Sequence, residues 1–133
     1  MLREGRADVE VAFEGDDEWE TFHLAAVDAD ETVVGVVTFL DRECPTRPGV
    51  HPVRQLRGMA VRPDRQGEGL GAALLAAGVA RLRHDAVAVV WAHAREPAVG
   101  FYEAHGMRVE GDVYDHPVGD GTLPHRTVVL DLA

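Results

Sequence analysis

Val61-Arg62-Pro63-Asp64-Arg65-Gln66-Gly67-Glu68-Gly69-Leu70-Gly71-Ala72 reads as the end of a strand, a glycine loop and the start of a helix. The first turn of a helix has N–H groups without intrahelical partners and a partial positive charge, so it attracts anions. Glycines at 67, 69 and 71 let the backbone turn tightly and bring those N–H groups against a phosphate without Cβ interference. The loop therefore predicts a phosphate or pyrophosphate at residues 66–72, against the plainer reading of a glycine-rich turn that only opens a helix. Two nucleotide sites fit poorly. A P-loop needs Gly-Lys-Ser/Thr, and the chain has no lysine. Gly67-x-Gly69-x-x-Ala72 matches a dinucleotide fingerprint superficially, but Arg62-Pro63-Asp64-Arg65 separates it from its strand. The chain is also too short for the usual pair of nucleotide-binding halves.

Upstream of the loop, Gln55 to Val61 reads as a strand, with Gly58 marking a bulge or a close approach to the backbone and Pro63 ending it. Downstream, Gly69 to His84 has helical spacing, with Leu75, Val79 and Leu82 at i, i+4 and i+7. Val87 to Ala94 is a continuous apolar run of strand length, consistent with a central strand covered on both faces. Pro97 and Gly106 bracket a short helix ending near His105. Met107 to Tyr114 and Arg126 to Leu132 read as strands joined by a long loop containing Gly119, Gly121 and Pro124. Towards the N-terminus, Thr21 to Val27 and Thr32 to Leu40 pair as a hairpin, and Glu43 to Pro52 is a proline-rich loop. Residues 1–12 have no clear pattern, and Glu14 to Glu18 is an acidic loop. The order β-β-β-α-β-α-β-β is that of an α/β domain with a mixed sheet.

The 133 residues fit a single domain over 1–133. No apolar run approaches the roughly 18–20 residues of a membrane helix, and Met1 to Arg6 lacks the apolar core of a secretory signal. A lone Cys44 excludes an internal disulfide framework and fits a reducing compartment, so a cytoplasmic location is expected. The net charge of −10 disfavours nucleic acid, whose phosphates need basic neutralisation. It favours cationic or neutral partners, or simply serves solubility. Lysine, asparagine and isoleucine are absent and all 13 basic residues are arginine, which a GC-rich genome explains most simply.

Gln66-x-x-Gly69-x-Gly71, preceded by Met59-Ala60-Val61-Arg62-Pro63, resembles motif A of the GNAT superfamily of N-acetyltransferases. Phe101-Tyr102-Glu103-Ala104-His105-Gly106-Met107 resembles that family's second signature, in the same order along the chain. The likeness runs from about Leu56 to Val113. It implies a mixed, mostly antiparallel central sheet flanked by helices, and acetyl-CoA, or coenzyme A more generally, as co-substrate. It implies that amides of Gln66, Gly67, Glu68, Gly69, Leu70, Gly71 and Ala72 hold the CoA pyrophosphate. The segment Met59-Ala60-Val61 then lies along the pantetheine arm, with main-chain atoms of Met59 and Val61 pairing with it. Gly58 suits the bulge that opens a slot for the thioester, and an N–H near Met59 polarises its carbonyl.

The family places its tyrosine as an acid to the departing thiolate, and Tyr102 suits this because a phenol stays protonated at neutral pH. His93 is the candidate base. Alternation puts it on one strand face with Val87, Val89 and Trp91, at the strand end where ligands of open sheets bind. His23 and a late Gly121-Thr122-Leu123-Pro124-His125 are similar to a subgroup of small bacterial GNAT proteins, which makes His23 and His125 substrate-pocket candidates. No histidine spacing suggests a metal site, and Cys44 has no activating neighbour. Arg95 stands where the family often has a polar asparagine and either meets a CoA phosphate or caps a surface loop. The family's N-terminal strand and helices look shortened or missing, which weakens one wall of the acceptor site and motivates a homodimer that completes the fold. The acceptor expected is a small-molecule, peptide or protein amine, with neither nucleic acid nor membrane as partner. The rival is an inactive acyl-CoA-binding module of the same fold.

Overall fold

The computed structural model describes residues 10–14 and 21–133. They form one seven-stranded sheet in the order β1-β2-β3-β4-β5-β7-β6. The strands are β1 Glu10–Glu14, β2 Phe22–Val27, β3 Val33–Leu40, β4 Val53–Val61, β5 Val89–Arg95, β6 Arg108–Val118 and β7 Gly121–Asp131. Helix α1 spans Leu70–His84 and α2 spans Val99–Ala104, preceded by 3-10 turns at Pro63–Arg65 and Glu96–Ala98. Only β4 and β5 pair in parallel, so the sheet is mixed and mostly antiparallel, as expected.

The β2–β3 hairpin is pinned by Asp28, whose carboxylate accepts from the N–H groups of Asp30 (2.9 Å) and Thr32 (3.0 Å). Helix α1 starts at Gly69, whose φ of +82° suits glycine. It buries Leu70, Ala73, Leu74, Leu75, Gly78 and Leu82 against Phe22, Leu24, Val37, Phe39 and Leu56 of β2, β3 and β4. The opposite face has a smaller core of Cys44, Val53, Val89, Trp91 and Val129, with Val50 packed on it. The loop after β3 covers that core: Trp91 Nε1 donates to the Arg42 carbonyl (2.9 Å), and Arg47 pairs with Glu110 (2.6 Å) and Asp131 (2.8 Å).

Two expectations are corrected. Glu14 belongs to a strand, β1, rather than to an acidic loop; of the two readings of the N-terminal strand, shortened or missing, it is present as five residues paired with β2 along Glu10 to Glu14. The remainder of that predicted loop lies outside the described residues, but only residues 15–21 stand between β1 and β2. The long loop before Arg126 is instead a tight hairpin, with Val118 opposite Gly121 and Pro124 opposite Asp115. Pro117 and Pro124 mimic loop composition. They are tolerated because β6 is the sheet edge and β7 pairs with β5 only from His125 onward, so neither ring removes an inner ladder bond.

Candidate active site

The parallel pair of β4 and β5 is short, joining only Val53, Arg54 and Gln55 to Val89, Val90 and Trp91. Beyond it, Leu56 to Val61 has no strand partner on that side, and a slot of about 270 Å³ opens there. Its walls include Leu56, Arg57, Gly58 and Met59 from β4, His93, Ala94 and Arg95 from β5, and Ala98, Tyr102 and His125. Gly58 is the bulge the sequence predicts: Gly58 and Met59 together face Val37 alone, with Gly58 at φ +65°. A Cβ at Gly58 would meet nothing within 4 Å, so that side faces open space. The unpaired edge of β4 can take an extended ligand as an added strand, and its residues fit the pantetheine arm expected along Met59, Ala60 and Val61.

At the far end of β4, Gly67 has φ +85° and likewise faces open space, as an anion cradle at the start of a 15-residue helix requires. Two carboxylates lie in this loop, and both are held by arginine. Glu68 is gripped by Arg65 through several hydrogen bonds near 3 Å, and Asp64 pairs with Arg62 at 2.7 Å. Arg65 also reaches Asp28 at 3.6 Å, tying the loop to the β2–β3 turn. With these charges offset, the helix amides dominate the local field. Gln66 turns its side chain back to donate to the Val61 carbonyl (3.3 Å).

Tyr102, on α2, is 8 % exposed and reaches the slot; burial pushes its phenol above the usual range, so it stays protonated at neutral pH. His93 sits across the slot from β4, with Nδ1 2.6 Å from the Tyr114 hydroxyl, and Thr127 donates to that same oxygen (3.2 Å). Its ring stacks on His116 with centroids 4.1 Å apart. Burial chiefly, then the charges of His116, His125 and Arg57, push its pKa down to about 4. His125 is 5 % exposed, and its Nδ1 lies 2.8 Å from the Leu123 carbonyl. A carbonyl only accepts, so Nδ1 carries the proton and Nε2 of the neutral ring keeps a free lone pair.

His93 also lines two adjoining pockets on the sheet face opposite α1. One, of about 360 Å³, holds Gln55, Arg57 and His116; the other, of about 370 Å³, holds Thr46, Glu110, Asp112, Tyr114, His116 and Thr127. Slot and pockets thus meet at one imidazole. His23 does not line them: it lies on β2, bonded through Nδ1 to Thr38 (2.6 Å), which stands opposite Arg57. Arg95 lines the slot, and Cys44 is fully buried. Among the described residues no group of three or more His, Cys, Asp or Glu is placed to hold a metal ion.

Arg57, Tyr114, His116 and Thr127 are the residues that sequence reasoning missed. Tyr114 and His116 share one face of β6, an i, i+2 pattern that extending the predicted strand past Tyr114 would have exposed.

Solved structures of the same fold are acetyltransferases. They include the ribosomal-protein-S18-alanine N-acetyltransferase of Escherichia coli (21% identity, TM-score 0.70, covering 88% of this chain and 72% of that one). A GNAT-family protein from Desulfovibrio desulfuricans (25%, 0.69, 86% and 70%) and the dodecameric spermidine N-acetyltransferase of Vibrio cholerae (16%, 0.69, 86% and 67%) are also similar. No curated protein matches the chain. The sequence matches the Acetyltransferase (GNAT) family over residues 3–107, so the chain belongs to that family and is an N-acetyltransferase.

Proposed function

We propose that the chain moves an acetyl group from acetyl-CoA to a primary amine by direct attack on the thioester. Acetyl-CoA supplies the activated acyl group. The amide C–N bond forms, the thioester C–S bond breaks, one amine proton leaves to a base and the thiolate takes a proton. The observation that carries this reading is the slot between β4 and β5, which Tyr102 lines together with the bulge residues Gly58 and Met59. Gln66 to Ala72 cradle the pyrophosphate, and the free edge of β4 at Met59, Ala60 and Val61 aligns the pantetheine arm. Tyr102 gives a hydrogen bond, then a proton, to the departing sulfur.

His93 takes the amine proton, directly or through water. Its Nε2 is free for this when Nδ1–H donates to Tyr114, whose oxygen then accepts from both His93 and Thr127. A second reading of the base has its own support: His125 is locked by the Leu123 carbonyl into the tautomer with a free Nε2. Single and double alanine substitutions at His93 and His125 assign the proton by the larger fall in kcat. A supply of acyl-CoA and the free, buried Cys44 fit a reducing cytoplasm. With no helix among the described residues on the β2–β3 face opposite α1, a second copy completing the acceptor wall belongs to the same proposal. Sedimentation showing a folded monomer at micromolar concentration would remove it.

The test of the chemistry is release of free CoA thiol from acetyl-CoA across a panel of amines. Tyr102→Phe keeps the ring and removes the proton, so kcat is expected to fall about a hundredfold with CoA affinity retained. Tight CoA binding with no turnover on any amine would instead identify the inactive binding module.

A further inference from the structure

Arg57 and Arg95 both line the slot, and Arg57 also lines the pocket formed with Gln55, His93 and His116. Among the described residues neither guanidinium has a hydrogen bond or ion pair. No Asp or Glu lines either space, although the chain as a whole carries a net charge of −10. The adjoining pocket has two carboxylates: Glu110, already held by Arg47 at 2.6 Å, and the exposed Asp112. The reaction cleft is therefore locally basic in an acidic protein. The field is felt inside it, since the Arg57 charge helps hold both His93 and His116 below the usual imidazole range.

From the unpaired Arg57 at the junction of slot and acceptor pocket, we infer that the acceptor is an amine bearing its own carboxylate, as an amino acid does, and that Arg57 binds that carboxylate. This rests on the acyl-transfer reading of the same cleft. A guanidinium presents paired N–H donors that match a carboxylate, whereas a polyamine would meet it as like charge. The CoA pyrophosphate is not the anion Arg57 serves. The glycine loop begins beyond Val61, four residues along β4, which is about 13 Å of extended strand from Arg57.

The experiment compares each α-amino acid with its own carboxamide, with spermidine alongside, by release of CoA thiol from acetyl-CoA. The carboxamide has the less basic amine and more of it unprotonated, so intrinsic reactivity favours the amide and any preference for the acid comes from the protein. The best acid is expected to exceed its carboxamide at least tenfold in kcat/KM, the scale of one charge-assisted pair. Arg57→Gln brings that ratio to one or below, and Arg57→Lys keeps part of it; the exposed position leaves folding intact, checked by the melting temperature. Equal use of acid and amide, or a preference for spermidine, with the ratio unmoved by Arg57→Gln overturns the inference and leaves acyl transfer standing. A parallel arm replaces acetyl-CoA with succinyl-CoA. A tenfold preference for succinyl that Arg57→Gln abolishes would move the carboxylate to the donor and overturn the acceptor assignment. If CoA fails to raise the melting temperature and no amine releases thiol, the acyl-transfer reading fails and this inference falls with it.

Discussion

His93 stays neutral in the folded protein well below the pH at which a free imidazole takes a proton, because it is part-buried and faces His116, His125 and Arg57. Its pKa is about 4 in the native state against 6.5 for the ordinary group. Between those values the unfolded chain binds a proton that the native state does not, so stability rises with pH in that window. The melting temperature is accordingly expected to drop as pH falls from 6.5 towards 4, and His93→Gln to flatten part of the drop; an unchanged profile would contradict the placement of His93. The same shift means that a base at this position needs no deprotonation at neutral pH. In the proposed role, the acid limb that His93 contributes to kcat/KM then lies near 4. Tyr102 is shifted the other way by burial, upward, so in the proposed reaction it stays protonated while His93 is free to accept.

At the scale of elements, β4 does two jobs with one bulge. Val53 to Gln55 pair with β5, Gln55 to Arg57 and then Ala60 and Val61 pair with β3, and beyond Gln55 the β5 side of the strand is left free. Helix α1 must then lie close enough to β3 and β4 to aim its first turn at that edge, and Gly78 permits this. A Cβ added there would fall 2.2 Å from Cζ of Phe39, a ring with no exposure that stacks on Phe22 at 5.1 Å. Alanine gains about 1 kcal/mol over glycine inside a helix. Overpacking a filled core costs about 1–3 kcal/mol, and with backbone and ring fixed the upper part applies. Gly78→Ala is therefore expected to lower the urea midpoint at unchanged m, and a raised midpoint would refute the packing argument.

Across the whole molecule, the two sheet faces are covered differently. One carries α1 and α2. The other is covered over β4, β5 and β7 by the loop after β3, and that loop is held at long range by Arg47 between Glu110 and Asp131. Arg47 and Arg108 push the Asp131 carboxyl down to about 2, and Arg47 chiefly lowers that of Glu110, so this clamp weakens only at strongly acidic pH. Arg47→Ala is expected to cost about 2 kcal/mol, as loss of charge-assisted hydrogen bonds does. It should also make the fully buried Cys44 reactive towards a thiol reagent under native conditions, while the unaltered protein stays inert. The same loop supplies Pro45 and Thr46 to the pocket beside Tyr114.

The features proposed to hold the donor were legible in the chain because they are local. A glycine at φ +82° before a helix, a bulge glycine within a strand and a tyrosine ahead of Gly106 each declare themselves within a few residues, by spacing and backbone sterics. The proposed acceptor half was legible only at His93 and His125. Arg57, His93, Tyr114, His116, His125 and Thr127 come from four strands, and only the ladder registers bring them together. His93 meets Thr127 across β7, and Tyr114 reaches His125 because three residues of β6, Gly111 to Val113, oppose Arg126 alone. The β6–β7 hairpin itself was hidden by prolines and glycines that a sheet edge tolerates. Sequence alone thus determined the glycine loop, the bulge and the short helix that carries Tyr102, since those depend on near neighbours. Tertiary structure decided which imidazoles and which arginine line the slot beside Tyr102, since that depends on pairing between residues as far apart as Arg57 and His125.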